Sequence, residues 1–93
     1  MKLRYTPRAA HELEVAVDWY EEQCPGLGIE FLESVERVLA STRENPWLYP
    51  RTHDAFRRCL TRRFPFSIHF TIEDDTIVLH SVFDNRRSPN DLP

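Results

Sequence analysis

Residues 56–70 read FRRCLTRRFPFSIHF, and the second half of that stretch decides the fold. Phe66, Ile68, Phe70 and Ile72 alternate with Ser67, His69, Thr71 and Glu73, the two-residue period of a strand with one face in a core. The first half alternates as well, but with arginine in both phases. Phe56, Arg58, Leu60 and Arg62 oppose Arg57, Cys59, Thr61 and Arg63. Both faces cannot be core, so at least one arginine pair points to solvent or to a partner. Five arginines against the single acid Asp54 give +4 over the 13 residues from Arg51 to Arg63, on a chain of net charge −3. Guanidinium forks suit phosphate oxygens and carboxylates equally. The plainer reading is an edge strand protected by charge; the sharper one is a grip on something anionic. Arg86 and Arg87 would join that grip if their strand lies beside the others.

Downstream, Glu73-Asp74-Asp75-Thr76 is a polar turn, and Ile77 to Phe83 is apolar on both faces, as in a central strand. Upstream, Lys2 to Thr6 alternates as a short half-buried strand. Thr6-Pro7 is a helix start, a hydroxyl N-cap followed by proline at the first helical position. Leu13, Val17, Tyr20 and Cys24 then share one helical face, widened by Ala16, while Val15 and Trp19 lie four apart on its flank. Those two read as further core, or as a docking ridge. Pro25-Gly26-Leu27-Gly28 turns the chain into a second helix, with Phe31, Leu32, Val35, Val38, Leu39 and Thr42 on one face and a Glu33–Arg37 pair outside. Pro46 ends it near Asn45. The connector Pro46-Trp47-Leu48-Tyr49-Pro50 is expected to lay its rings over one end of the core.

The order is therefore β-α-α-β-β-β, an α+β fold in which a helical hairpin packs on a small, mainly antiparallel sheet. A single domain over residues 1–93 is expected, with the hairpin at about 7–45, a three-stranded antiparallel unit at about 56–84 and an extended tail at 85–93. The last three strands should be antiparallel neighbours. The first must join at a sheet edge, carried there by the helices.

Composition narrows the function classes. Residues 1–45 carry five bases and nine acids, and residues 46–93 seven and six, so an acidic scaffold precedes the basic feature. No apolar run reaches the roughly 18 residues needed to span a bilayer, and MKLRYTPRAA lacks the apolar core of a secretory signal. A cytoplasmic protein with no membrane partner is expected, with Cys24 and Cys59 as reduced thiols. Four scattered histidines show no ligand spacing, and no phosphate loop or dinucleotide fingerprint is present, so neither metal nor cofactor is expected. Metal-free RNA cleavage would require a base, an acid and cations around one phosphate. His69 and His80, in the phase opposite the apolar residues, are the titratable candidates.

The chain resembles toxins of the RelE/ParE superfamily from bacterial type II toxin–antitoxin systems. The resemblance rests on Asp18-Trp19-Tyr20-Glu21-Glu22, Pro25-Gly26-Leu27-Gly28, Phe31-Leu32, Asn45-Pro46, Tyr49-Pro50, Arg57-Arg58, Arg63-Phe64-Pro65-Phe66 and Arg86-Arg87-Ser88-Pro89, spanning about residues 3–89. The RelE-like branch cuts mRNA in the ribosomal A site. Resemblance to it would place Arg58, Arg62 and Arg86 on phosphate, with His69 or His80 assisting. This chain departs from that branch at Leu60, at Ser67 where an arginine is expected, and in ending at Pro93 before a C-terminal helix. The ParE-like branch, which matches better at Phe64-Pro65-Phe66 and Arg86-Arg87-Ser88-Pro89, inhibits DNA gyrase without catalysis. It often carries a histidine where this chain has Asp84.

The expectation is thus a ParE-like, growth-inhibiting toxin that binds its target through Arg57, Arg58, Arg62, Arg63, Arg86 and Arg87. A RelE-like ribosome-dependent endonuclease and an inactive antitoxin-binding module are the alternatives. The resemblance further implies a cognate antitoxin whose C-terminal segment wraps the toxin, acidic where it meets Arg57–Arg63. With only about 60–65% of the unfolded surface buried at this size, a homodimer or hetero-oligomer would add stability.

Overall fold

The computed structural model describes residues 1–93. In chain order they form β1 (Lys2–Tyr5), α1 (Pro7–Gln23), α2 (Leu27–Glu44), β2 (Arg51–His53), β3 (Phe56–Leu60), β4 (Phe66–Glu73) and β5 (Thr76–Asp84). Short 3-10 turns fall at Pro46–Leu48 and Pro89–Asp91. The strands make one sheet in the order β1-β5-β4-β3-β2. Strands β2 to β5 are an antiparallel meander, and β1 lies parallel to β5 at the edge, delivered by the two helices. The α+β architecture, a helical hairpin on a mainly antiparallel sheet, is the one the alternation implied.

Local chemistry explains the helix ends. The Thr6 hydroxyl accepts the Ala9 N–H at 3.2 Å and starts α1. α2 has no side-chain cap of its own. Its orphan N-terminal donors are met from α1 instead, where the Glu21 carboxylate accepts the Gly26 and Gly28 N–H groups at 3.0 and 3.1 Å. That contact draws the helices together. A Cβ at Gly28 would stand 2.7 Å from the Val17 carbonyl oxygen, so only glycine fits. Gly26, at φ +89°, makes the preceding turn.

Between the layers lies an aromatic core. Tyr20 meets Phe31 and Phe64 at centroid distances of 5.1 and 4.9 Å, and Phe31 meets Phe66 at 4.8 Å. Val35, Ile68, Phe70, Ile77 and Leu79 are fully buried around them.

Several expectations change. β2 was not foreseen; its three residues are all exposed, which leaves no alternation to read. β3 ends at Leu60 rather than Arg62, because the Thr61 hydroxyl bonds the Phe64 and Phe66 carbonyls (3.0 and 3.2 Å) and Arg63 takes a left-handed turn at φ +74°. A bulge shifts the β4–β5 register beyond His69, where Phe70 faces Leu79 but His69 faces Ser81. Ile77, Leu79 and Val82 therefore join the helix-facing core, while Phe83 meets His69 on the other side. Of the connector rings only Tyr49 packs, against Phe70; Trp47 is 62% exposed. Cys24 sits past the end of α1 and is exposed, and neither cysteine is in a disulfide. Arg37 takes part in none of the six ion pairs. The tail is not extended: it turns after Asp84 and folds back on α1, with Arg8 donating to the Asp91 carbonyl.

β1 ends at Tyr5 opposite Leu79, so the outer edge of β5 beyond it lacks a strand. Thr6 covers the first part, its N–H donating to the Leu79 carbonyl at 2.9 Å. Glu12 covers the next. One carboxylate oxygen accepts the Ser81 hydroxyl at 2.8 Å and the Val82 N–H at 3.2 Å. Glu12→Ala would leave both donors unmet, a loss of about 1–3 kcal/mol. Thermal unfolding followed by circular dichroism should show a melting temperature lower by roughly 4–8 °C per kcal/mol, with Glu12→Gln recovering most of it. Gly28→Ala should also destabilise, by about 1–3 kcal/mol, because the helix pair must move apart.

Candidate functional site

Most of the arginines singled out by the sequence are engaged within the chain. Arg57 donates to the Trp47 and Tyr49 carbonyls at 3.2 and 2.7 Å and lies over the Trp47 ring at 5.2 Å, tying the connector to β3. Arg63 pairs with Glu30 at 2.9 Å and stacks on Phe64 at 5.0 Å. Arg86 grips the Asp84 carboxylate with two donors at 2.9 and 2.8 Å. Arg87 reaches Asp91 at 3.2 Å and Glu12 at 3.6 Å, above the Phe83 ring. Arg57, Arg58 and Arg62 have no acid, and of these Arg58 and Arg62 make no side-chain hydrogen bond either.

These six do not form one surface. Arg58 is registered with His69 on the sheet face turned away from the helices. Arg62 and Arg63 sit in the β3–β4 turn, where the Ser34 hydroxyl of α2 bonds the Arg62 carbonyl at 2.9 Å. Arg86 and Arg87 lie beyond β5 against α1.

The two strand histidines occupy hydrogen-bond chains on the helix-free face. His69 is 5% exposed, with Nε2 2.8 Å from the Ser67 hydroxyl, which in turn donates to Asn85 Oδ1 at 2.8 Å. The serine proton is spoken for, so His69 donates through Nε2–H. Burial, with help from Arg58, Arg8 and His53, lowers its pKa to about 4. His80 follows the same logic: Nε2 lies 2.8 Å from the Thr71 hydroxyl, which donates to Glu73 at 2.9 Å. Burial lowers its pKa too, against the opposing pull of Glu73. His53 stacks on Phe56, and Phe56 meets His80 edge-on, with centroids 5.0 Å apart at each step, to complete this face.

A cleft that the arginine pattern did not announce lies between α1 and the end of β5. It encloses about 320 Å³. Its rim is the Val15–Trp19 ridge, 53% and 45% exposed, so the core reading of that pair fails. Tyr20, Phe66 and Val82 line its depth, and Asp84 and Arg86 close the polar side. The guanidinium of Arg86 stands 5.4 Å from the Trp19 ring centre. Hydrogen bonds from Arg86 hold the Asp84 carboxyl below its usual range, while burial pulls the other way. The sequence signal was the four-residue spacing of Val15 and Trp19, outside the buried stripe. An apolar shelf with a fixed ion pair at one side suits amphipathic protein surface better than a small anion.

The state of His69 generates a pH test. Its folded pKa of about 4 lies below the ordinary 6.5, so the folded state takes up its proton later than the unfolded state does. Stability is complete above pH 6.5 and falls as pH drops from 6.5 towards 4. Denaturant titrations should lose about 2 kcal/mol between pH 7 and pH 5. His69→Gln should flatten that decline.

Comparison with known proteins agrees with the fold. The matching family model is the ParE toxin of the type II toxin–antitoxin system, parDE, over residues 3–89. No curated protein matches. Among solved structures, the chromosomal ParDE toxin–antitoxin system of P. aeruginosa aligns with a TM-score of 0.65 at 20% identity, covering 90% of this chain and 95% of that one. The isolated E. coli RelE toxin aligns with a TM-score of 0.68 at 18% identity, covering 96% and 88%. At such identities the structural likeness is one of fold, whereas the family match runs along nearly the whole sequence: this chain belongs to the ParE toxin family, within the RelE/ParE superfamily of type II toxin–antitoxin systems.

Proposed function

We propose that this chain is a growth-inhibiting toxin that acts by binding, with DNA gyrase as its target in the cytoplasm, and that a cognate antitoxin neutralises it. The observation that carries the binding reading is the Val15–Trp19 cleft. It offers an exposed aromatic anchor, a cation stacked on it and a fixed carboxylate, the makings of a protein-binding hot spot. An amphipathic helix of the antitoxin, ordered on binding, fits such a shelf.

The dispersal of Arg58, Arg62 and Arg86 supports binding over cleavage. A nuclease must bring its cations to one phosphate, and these three belong to the far sheet face, the β3–β4 turn and the α1 cleft. His69 stands beside Arg58, but it is buried and its Nε2 proton is committed.

Induced expression of the chain alone should arrest bacterial growth, and the purified protein should inhibit supercoiling by gyrase. In a translation reaction it should leave mRNA intact; ribosome-dependent cuts would replace this reading with the RelE-like one. Trp19→Ala should weaken antitoxin binding by 2 kcal/mol or more, about thirtyfold, as expected for a central aromatic anchor. Val15→Asp should weaken it further. Calorimetric titration of the antitoxin into each variant measures both.

A further inference from the structure

The sheet face turned away from the helices has an apolar floor and no covering layer. Val78 and Phe83 are 1% and 3% exposed, yet neither belongs to the core cluster packed beneath the hairpin. Ser67 and His69 are buried beside them. What lies over this floor is side chain. Arg87 stands above the Phe83 ring, and Phe56 meets His80 edge-on. Long side chains screen apolar surface in this way, but only one layer deep.

Two guanidinium groups bracket that floor. In β1, Leu3 and Tyr5 pack against the core, so alternation puts Arg4 on the opposite face, in register with Val78. In β3, Arg58 is registered with His69 on that same face. Both side chains are exposed, and neither belongs to any of the chain's ion pairs. β1 and β3 are three strand spacings apart in the order β1-β5-β4-β3, so the two positions stand about 14–16 Å from each other. Neutral groups fill the interval: Val78, the Thr71 registered with it, and Phe56 with the His53 ring stacked on it. The α1 cleft opens on the other side of the sheet, where it is lined by the core residues Phe66 and Val82.

We infer that this face is the toxin's contact with its target, and that it takes an acidic surface of a folded protein. Two carboxylates at the separation of Arg4 and Arg58 would pair with them, and an apolar group between would cover the His53–Phe56 rings. The face is open and broad, with no groove for an isolated segment to follow, which suits a folded partner. A single-stranded nucleic acid fits less well. It needs a continuous cationic track, and the acids Glu73 and Asp75 interrupt this face at its Lys2 end. A second copy of the chain would set the same two free charges against their own kind. The inference rests on the reading that the chain arrests growth by binding a target. It adds that target and antitoxin helix lie on opposite sides of the sheet, so a helix confined to the α1 cleft does not compete with the target for surface.

Single substitutions of equal charge test it. Arg4→Glu and Arg58→Glu should each weaken binding to purified gyrase about tenfold or more in surface plasmon resonance at about 0.1 M salt, and relieve growth arrest at matched expression. Arg4→Lys and Arg58→Lys should recover most of both. Arg37→Glu, at an exposed and unpaired arginine on α2, makes the same change in net charge and should alter binding by less than about twofold. Circular dichroism should be unchanged in every variant, since these side chains are exposed. Carbethoxylation of histidines by diethyl pyrocarbonate locates the contact: bound gyrase should protect His53 and leave His11, which lines the α1 cleft, reactive. Full growth arrest by both charge-reversed variants, an equal loss with Arg37→Glu, or protection of His11 in place of His53 would overturn the proposal. So would a labelled single-stranded oligonucleotide held by the wild type and released by either substitution, or a concentration-dependent dimer that either substitution abolishes. A wild type that arrests growth without binding gyrase removes gyrase as the target, and the growth comparison among the variants then decides the face. A wild type that does neither overturns both readings.

Discussion

A carboxylate stands where a strand would otherwise have to be. β5 is the strand the layers share, buried towards both faces, yet β1 covers only its first half. Glu12 meets the uncovered part from α1 by accepting the Ser81 hydroxyl and the Val82 N–H. An unmet main-chain donor at that depth would oppose folding by more than most surface contacts return. The same carboxylate carries charge as well as lone pairs. Arg8 and Arg87 lie within 3.5 and 3.6 Å of it, so the group that closes the sheet also anchors the returning tail. Because Arg86 precedes that anchor, its guanidinium is held over Trp19 and the α1 cleft acquires its polar wall.

The arginines show how far a charge count is from a charged surface. Counting along the sequence treats neighbours in the chain as neighbours in space, which holds on a strand and fails at a turn. The strand ends at Leu60, so Arg62 and Arg63 leave the sheet and meet α2. Arg57 serves as a donor to carbonyls that the proline-bracketed connector cannot satisfy internally. Arg86 and Arg87 are balanced by acids from their own tail and from α1. Arg58 and Arg62 are left without a side-chain partner, and so is Arg37, on a helix where it was expected to pair with Glu33. Arg37 and Arg62 line a groove between α2 and β3, whereas Arg58 stands on the helix-free face of the sheet.

The elements legible in the sequence were those whose periodicity is set by a large buried face. β4 and α2 place nearly every apolar residue where its spacing put it. The Thr6-Pro7 start was legible because capping is local chemistry. β2 was not, since an edge strand exposed on every residue imposes no pattern. The bulge at His80 was hidden as well: β5 is apolar in both phases, so slipping the phase leaves the composition unchanged. In the site, His69 was correctly put in the phase opposite the core, but its burial depends on Phe83 and Asn85 from elsewhere in the chain. Val15 and Trp19 were open to a core or a docking-ridge reading, because apolar residues four apart on the flank of a helical stripe can serve either; the exposure of both, with Arg86 over the Trp19 ring, places them on the rim of the cleft.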